Sequence, residues 1–284
     1  MRLRLILAAL VAALALGAGA VAGAQGGGPV EYAAKGGTFT GVNPTAVGLP
    51  QLGTAGTYGA GDMVSNVRDY YESGRYMTDF AATAGAARAY LEARFAQQTA
   101  KATRTCKARY VKTRRKLRGK RLFRKAKRCK TVTPPRLTGK PAIVLDIDET
   151  SLSNYRGASA GGFTAPSVVA DSVAGTGTAL APTLDLFKAA KAQGVAVFFI
   201  TGRPEALRSI TERNLRAVGF DGWDQLILKP GGIGTLDYKA GERKKLVEGG
   251  FDVIANVGDQ ESDLDGGFAD RGFKLPNPFY FIAD

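Results

Sequence analysis

The sequence predicts an α/β domain, a parallel sheet in three layers with helices on both faces and a helical extension ahead of it. Three observations carry this. First, short apolar runs recur at Ala142–Leu145, Val195–Ile200, Gln225–Leu228 and Val253–Val257. Such runs, lacking strict alternation, read as strands buried on both sides. Second, helical patterns separate them, at Leu184–Gln193, from Pro204 to about Val218, and at Lys239–Glu248. Strands alternating with helices imply a parallel sheet covered on both faces. Third, three of the strands end in polar or charged tips, and open α/β sheets bind ligands just beyond the carboxyl ends of their strands. Tyr280–Ile282 is expected as a fifth strand.

The chain has 284 residues, enough for one sizeable domain with appendages. Arg2 and Arg4 precede twelve unbroken apolar residues, Leu5 to Leu16, and small residues then lead to Ala22-Gly23-Ala24. That layout reads as a secretory signal peptide over residues 1–24, with an uncleaved membrane anchor as the alternative. The expected location is secreted, periplasmic or cell-envelope. Residues 25–60, rich in Gly, Thr, Ala and Pro, read as a flexible or extended lead-in. The folded domain is expected over 61–284. From Asn66 the texture changes. Tyr76, Phe80, Ala84, Ala87, Leu91 and Phe95 recur at three- and four-residue steps, the apolar stripe of a helix ending near Gln98.

Charge is unevenly placed. The formal net charge is +14, yet residues 101–140 hold 18 of the 39 Lys and Arg and no acid. The remainder has 21 basic against 25 acidic residues, a balance of −4. The segment at about 101–136 reads as a basic insertion carrying Cys106 and Cys129, symmetric about Leu117 and Arg118. A hairpin of strands or helices pinned at its base suits that symmetry. It is either a solvated surface feature or a contact for polyanions of the cell envelope or nucleic acid. In an exported protein the two cysteines are expected to pair. Closing a loop of 23 positions stabilises by about 3 kcal/mol in the loop-entropy account. Histidine is absent altogether, which excludes Ser-His-Asp hydrolases, histidine nucleophiles and imidazole-ligated metals. Any chemistry must run on carboxylates, hydroxyls, lysine, arginine or an oxygen-ligated ion.

The strand tips hold the candidates. Ala142–Leu145 runs out into Asp146-Ile147-Asp148-Glu149-Thr150. On an extended backbone Asp146 and Asp148 point the same way with Ile147 turned into the core. Two converging carboxylates need a cation between them or a shared proton. The second strand ends in Thr201-Gly202-Arg203-Pro204, a hydroxyl and a glycine opening a helix, suited to cradling an oxyanion; Thr201 as a helix cap is the structural alternative. The Val253–Val257 strand ends in Gly258-Asp259-Gln260-Glu261-Ser262-Asp263. Lys239 stands near a helix start, where it opposes the helix dipole and calls for an anion.

Four stretches, LDIDETSLSN (145–154), FFITGRP (198–204), YKAGER (238–243) and NVGDQESDL (256–264), together resemble the haloacid dehalogenase superfamily of phosphohydrolases. Within it the similarity is to the subfamily IIIB acid phosphatases, which include bacterial class B-type enzymes and plant vegetative storage proteins. The resemblance covers roughly residues 65–100 and 140–284 and leaves the basic insertion unmatched. It implies a three-layer Rossmann-like fold and a magnesium-dependent phosphomonoesterase. By position it implies that Asp146 is the nucleophile and Asp148 the acid and base. It implies that Thr201, Gly202 and Lys239 hold the phosphoryl oxygens. Asp146, the carbonyl of Asp148, and Asp259 would ligate Mg²⁺, while Thr150, Arg203 and Asp263 support the site. Lys229 competes with Lys239 for the lysine role; Lys239 has the spacing to Asp259 that the motif shows. The implied substrate is a small phosphomonoester. The rival reading is a non-catalytic storage or polyanion-binding protein on the same scaffold. Substrate and oligomeric state are not encoded in any of these motifs.

Overall fold

The computed structural model describes residues 29–34, 37–42, 62–134 and 136–282. The expected signal peptide and most of the expected lead-in lie outside the described residues. Two pieces of the lead-in are strands: β1 (Val30–Ala34) pairs antiparallel with β2 (Gly37–Gly41). Phe39 and Val42 are buried there. With only two large apolar side chains in each short piece, Val30 and Tyr32 in the first and Phe39 and Val42 in the second, periodicity had little to register.

Two helices follow, α1 (Asp62–Glu72) and α2 (Arg75–Thr99). The apolar stripe is present, and Tyr76, Phe80, Ala84, Ala87 and Leu91 are all fully buried. The single expected helix is split because Gly74 takes φ +81°, the left-handed conformation that ends a helix.

The basic insertion is an antiparallel ribbon, β3 (Thr103–Leu117) and β4 (Lys120–Val132). Its tip, Arg118 and Gly119, has φ 47° and 77°, and two successive positive φ values make the turn that matches strand twist. Cys106 faces Cys129 across the ladder and the two form a disulfide. None of its described side chains is buried, and no other described element packs closely against it.

The remaining elements build the sheet. β5 (Lys140–Leu145) is followed by an excursion of β6 (Leu152–Ser153), α3 (Tyr155–Ala160), α4 (Ala165–Val168), α5 (Ala170–Ala174) and β7 (Thr178–Ala179). β6 pairs with β7 and closes it. Then come α6 (Ala181–Ala192), β8 (Ala196–Pro204), a 3₁₀ turn (Glu205–Leu207), α7 (Arg208–Ala217) and β9 (Gln225–Lys229). The chain finishes with α8 (Thr235–Glu248), β10 (Phe251–Gly258), α9 (Glu261–Leu264) and β11 (Arg271–Lys274).

The seven-stranded sheet runs β1-β2-β11-β10-β5-β8-β9, and every pair but β1–β2 is parallel. From β5 the chain winds outward through β8 to β9, then returns to β10 on the other side. The reversal falls between β5 and β10, the crevice where open α/β sheets bind ligands. Alternation along β5 splits the core: Ile143 and Leu145 face the layer of α2 and α6, while Ala142 and Val144 pack with Phe198, Tyr238 and Leu246 beneath α8. Tyr280–Ile282 is not a strand. The last strand is Arg271–Lys274, whose polar ends hid it from pattern reading. Pro276 and Pro278, lacking amide donors, bar the ladder from continuing toward Tyr280.

Candidate active site

The site is assembled from strand ends. Beyond β5, the Asp146 amide donates to the Val257 carbonyl of β10 (3.0 Å), so the two strands stay locked past the end of β5. The chain then folds over itself, with the amides of Thr150, Ser151 and Leu152 all reaching the Ile147 carbonyl at 2.8–3.3 Å. This tight turn places Glu149 at φ +53°. Ile147 is fully buried, while Asp146 and Asp148 both line one cleft, as the two-residue period requires.

The buried groups are arranged so that unlike charges touch. Lys239, from α8, places Nζ 2.5 Å from Oδ1 of Asp146 and 2.5 Å from Oδ1 of Asp263. Burial works to lower the ammonium's pKa, but the two carboxylates more than offset it and raise the value above the ordinary lysine range. The other oxygen of Asp263 accepts the Gln260 amide (2.8 Å), half of a reciprocal cap on α9. Gly258 is required here: a Cβ would fall 2.3 Å from Asp263 side-chain atoms. Asp259 accepts from Thr150 Oγ1 (3.1 Å), Gln260 Nε2 (2.6 Å) and Asn277 Nδ2 (2.7 Å). Burial and then the neighbouring Asp263 push its pKa up to about 6.

Asp148 stands in a separate clamp. Arg203 grips it with Nε (2.9 Å) and Nη2 (2.7 Å), and the Asn154 amide adds a third bond at 2.7 Å. Burial opposes the charge, but the guanidinium outweighs it and holds the carboxyl below the usual range. Arg203 is itself braced by Thr211 (3.1 Å). Thr201 is buried and its hydroxyl oxygen accepts the Arg203 amide (3.2 Å). Gly202 lies exposed at the cleft with open space where a side chain would project. Lys229 does not line the cleft.

Asp146, Asp259 and Asp263 offer carboxylate oxygens within 4.8 Å of one another. Three carboxylates gathered around the Lys239 ammonium leave negative charge over, which a hard, oxygen-ligated divalent ion can meet. Oxygen-only donors fit that ion and not a soft one. The carboxylate of Asp148 is taken up by Arg203 and Asn154 and is not in this cluster.

Sequence reading missed several supports. Asn154 and Asn277 fix Asp148 and Asp259, yet a lone asparagine has no periodic signature. Arg243, fully buried, donates to the carbonyls of Asp263, Leu264, Asp265 and Gly267 and thereby fastens the loop that carries Asp263. Its place four residues after Lys239, one turn along α8, was the available clue. Glu149, also buried, accepts the Asn154 amide (2.6 Å) and the Tyr76 hydroxyl (3.4 Å), tying the turn to α2.

Fold and site together define a Rossmann-like α/β protein with a carboxylate-and-lysine centre at the sheet's switch point. The family model for subfamily IIIB acid phosphatases of the HAD superfamily matches residues 55–283, and the chain belongs to that family. Among curated proteins it is similar to Acid phosphatase 1 of Solanum lycopersicum, 40% identical over 153 residues, covering 51% of this chain and 60% of that one. The Stem 28 kDa glycoprotein of Glycine max is 36% identical over 154 residues, covering 50% and 61%. Vegetative storage protein 1 of Arabidopsis thaliana is 39% identical over 105 residues, covering 36% and 39%. The chain thus spans about three fifths of the length of the first two relatives. Among solved structures, the class C acid phosphatase from Bacillus anthracis superposes with a TM-score of 0.54 at 21% identity, covering 77% of this chain and 86% of that one, a likeness of fold.

Proposed function

We propose that this protein hydrolyses phosphate monoesters through an aspartyl-phosphate on Asp146. The observation that carries the reading is the buried meeting of Asp146, Lys239, Asp259 and Asp263 at the ends of β5 and β10. A carboxylate cannot approach a phosphate dianion until charge is neutralised. Lys239 supplies one positive charge beside the attacking oxygen, and Thr201, Gly202 and Lys239 receive the phosphoryl oxygens. A divalent ion, Mg²⁺ on the resemblance, held by Asp146 and Asp259 with the carbonyl of Asp148 and steadied by Asp263, would supply the remaining neutralisation when bound.

Asp148 completes the reaction. Arg203 and Asn154 fix its orientation toward the cleft. The incoming dianion raises its proton affinity, so it hands a proton to the leaving oxygen and later withdraws one from the water that opens the acyl phosphate. The test is hydrolysis of an aryl phosphate by the purified protein. Asp146→Asn is expected to lower kcat at least about a thousandfold, and a chelator is expected to remove activity that added Mg²⁺ restores. Activity untouched by either change contradicts the mechanism.

The same reading takes the N-terminal segment as an export signal, so that the site works outside the cytoplasm; the Cys106–Cys129 bridge is consistent with an oxidising compartment. For the β3–β4 ribbon a second role follows from its composition. It is exposed, basic and packed against no other described element, which suits contact with a polyanion. Deleting residues 107–128 is expected to flatten the salt dependence of retention on immobilised heparin; unchanged retention excludes the ribbon as the anchor.

A further inference from the structure

Beyond the carboxylates the cleft changes character. It has a volume of about 780 Å³, far more than a phosphoryl group occupies. Its lining includes Val168, Val169 and Val173 of the α4–α5 excursion, Leu207 after β8, and Phe281 and Ile282 of the C-terminal stretch. Val169, Val173, Phe281 and Ile282 are 37–52% exposed, among the most exposed large apolar side chains outside the basic ribbon. Scattered exposed apolar residues need no explanation; several lining one cleft do. Two polar side chains lining the same cleft, Ser172 and Gln260, are already engaged. Ser172 Oγ donates to the Val169 carbonyl (2.8 Å). Gln260 donates to Asp259 (2.6 Å) and accepts the Ile282 amide (3.1 Å).

Such a wall discriminates by what it cannot offer. A sugar or nucleoside leaving group brings hydroxyls and ring nitrogens that would lose water against valine and isoleucine with few partners in return. A hydrocarbon chain loses nothing and covers the exposed side chains. The geometry points to a leaving group that is an aliphatic alcohol: the substrate class is a monoalkyl or monoalkenyl phosphate, phosphate at Lys239 and chain along Val169, Val173 and Ile282. This rests on the phosphatase reading of the same site and adds the identity of the group released. In the reaction the P–O bond to the alcohol breaks, Asp148 returns a proton to the alcohol oxygen, and water then takes the phosphoryl group from Asp146.

The test is a series of n-alkyl phosphates from methyl to decyl, kept below their aggregation concentrations, with glucose 6-phosphate and a nucleoside 5′-monophosphate assayed beside them on the full chain. kcat/KM is expected to climb about two- to fourfold per methylene until the wall is covered, with octyl phosphate at least about tenfold above both polar substrates. The octyl-to-methyl ratio is expected to fall about tenfold in Val173→Asp and to persist in Val173→Leu. A ratio removes any general loss of folded enzyme. Turnover that is independent of chain length, or best with the nucleotide, overturns the inference while leaving the phosphatase reading intact. Should no phosphomonoester turn over, the phosphatase reading fails, and binding of n-alkylphosphonates by calorimetry decides this one: affinity rising with chain length upholds the apolar subsite, and flat affinity overturns it.

Discussion

Along the β3–β4 ribbon, 14 basic residues stand on the two strands and Arg118 at the turn, with no acid among them, and those whose side chains are described lie exposed to water. At the ends of β5 and β10, ionisable groups sit largely out of water, Asp148 half-buried and the others buried, and nearly every one is bonded: Lys239 to two carboxylates, Asp148 to Arg203 and Asn154, Asp259 to Thr150, Gln260 and Asn277. The ribbon tolerates like charge because solvent and salt screen it. The cluster tolerates charge only because partners replace the lost hydration. Dense charge in the open is therefore a surface property, separable from the fold, whereas dense charge in the core is part of the fold and poised for chemistry.

The largest effect expected from that contrast is at Lys239. Lys239→Ala leaves Asp146 and Asp263 buried against each other and is expected to cost about 3–5 kcal/mol in urea unfolding, with turnover abolished. A loss below about 1 kcal/mol would mean that the cluster is not charge-paired. Next comes Gly258→Ala, whose methyl must displace Asp263. Overpacking of this kind costs about 1–3 kcal/mol, and kcat is expected to fall with it; an unaffected kcat would show that the position of Asp263 does not matter to the reaction.

A carboxylate between the two regimes sharpens the comparison. Asp171, on α5 within the excursion, accepts from the Gly157 amide (2.7 Å), Thr176 (2.6 Å) and Arg156 (3.1 Å). Burial opposes its charge, but these donors outweigh it and lower its pKa. A carboxyl depressed in the folded state stabilises above its unfolded value of about 3.9 and loses that contribution as pH falls through the folded one. Asp171→Asn is therefore expected to cost about 1 kcal/mol near neutral pH, with the gap to the parent closing in acid. A gap that widens on acidification would reverse the sign. Smallest of all, replacing residues 107–128 with a short Gly-Ser turn is expected to change stability by under about 0.5 kcal/mol; a larger loss would show that the ribbon supports the domain after all.

The two regions also differ in how much the sequence revealed. Local chemistry was legible. Asp146 and Asp148 follow an apolar run by one and three positions, Thr201-Gly202-Arg203 and Gly258-Asp259 close runs of their own, and a parallel sheet brings such tips to one edge. A hairpin pinned by a disulfide followed from two cysteines symmetric about its middle, although strands and helices suited that symmetry equally; the structure makes it a ribbon of two strands. What was not legible depends on distance. The grip of Arg203 on Asp148 spans 55 positions and that of Lys239 on Asp146 spans 93, and neither leaves a mark on the intervening residues. β1 and β2 are too short and too poor in large apolar residues to announce themselves. Tyr280–Ile282 reads as a strand because its apolar run is the same whether it faces a sheet or a cleft.

The central claim, that Asp146 attacks phosphorus, is tested most directly by acid-quenching the enzyme during turnover of a ³²P-labelled monoester and locating the label by peptide mapping. The account predicts hydroxylamine-sensitive label on Asp146, absent from Asp146→Asn. Steady turnover without phosphoenzyme, or label on another residue, would contradict it.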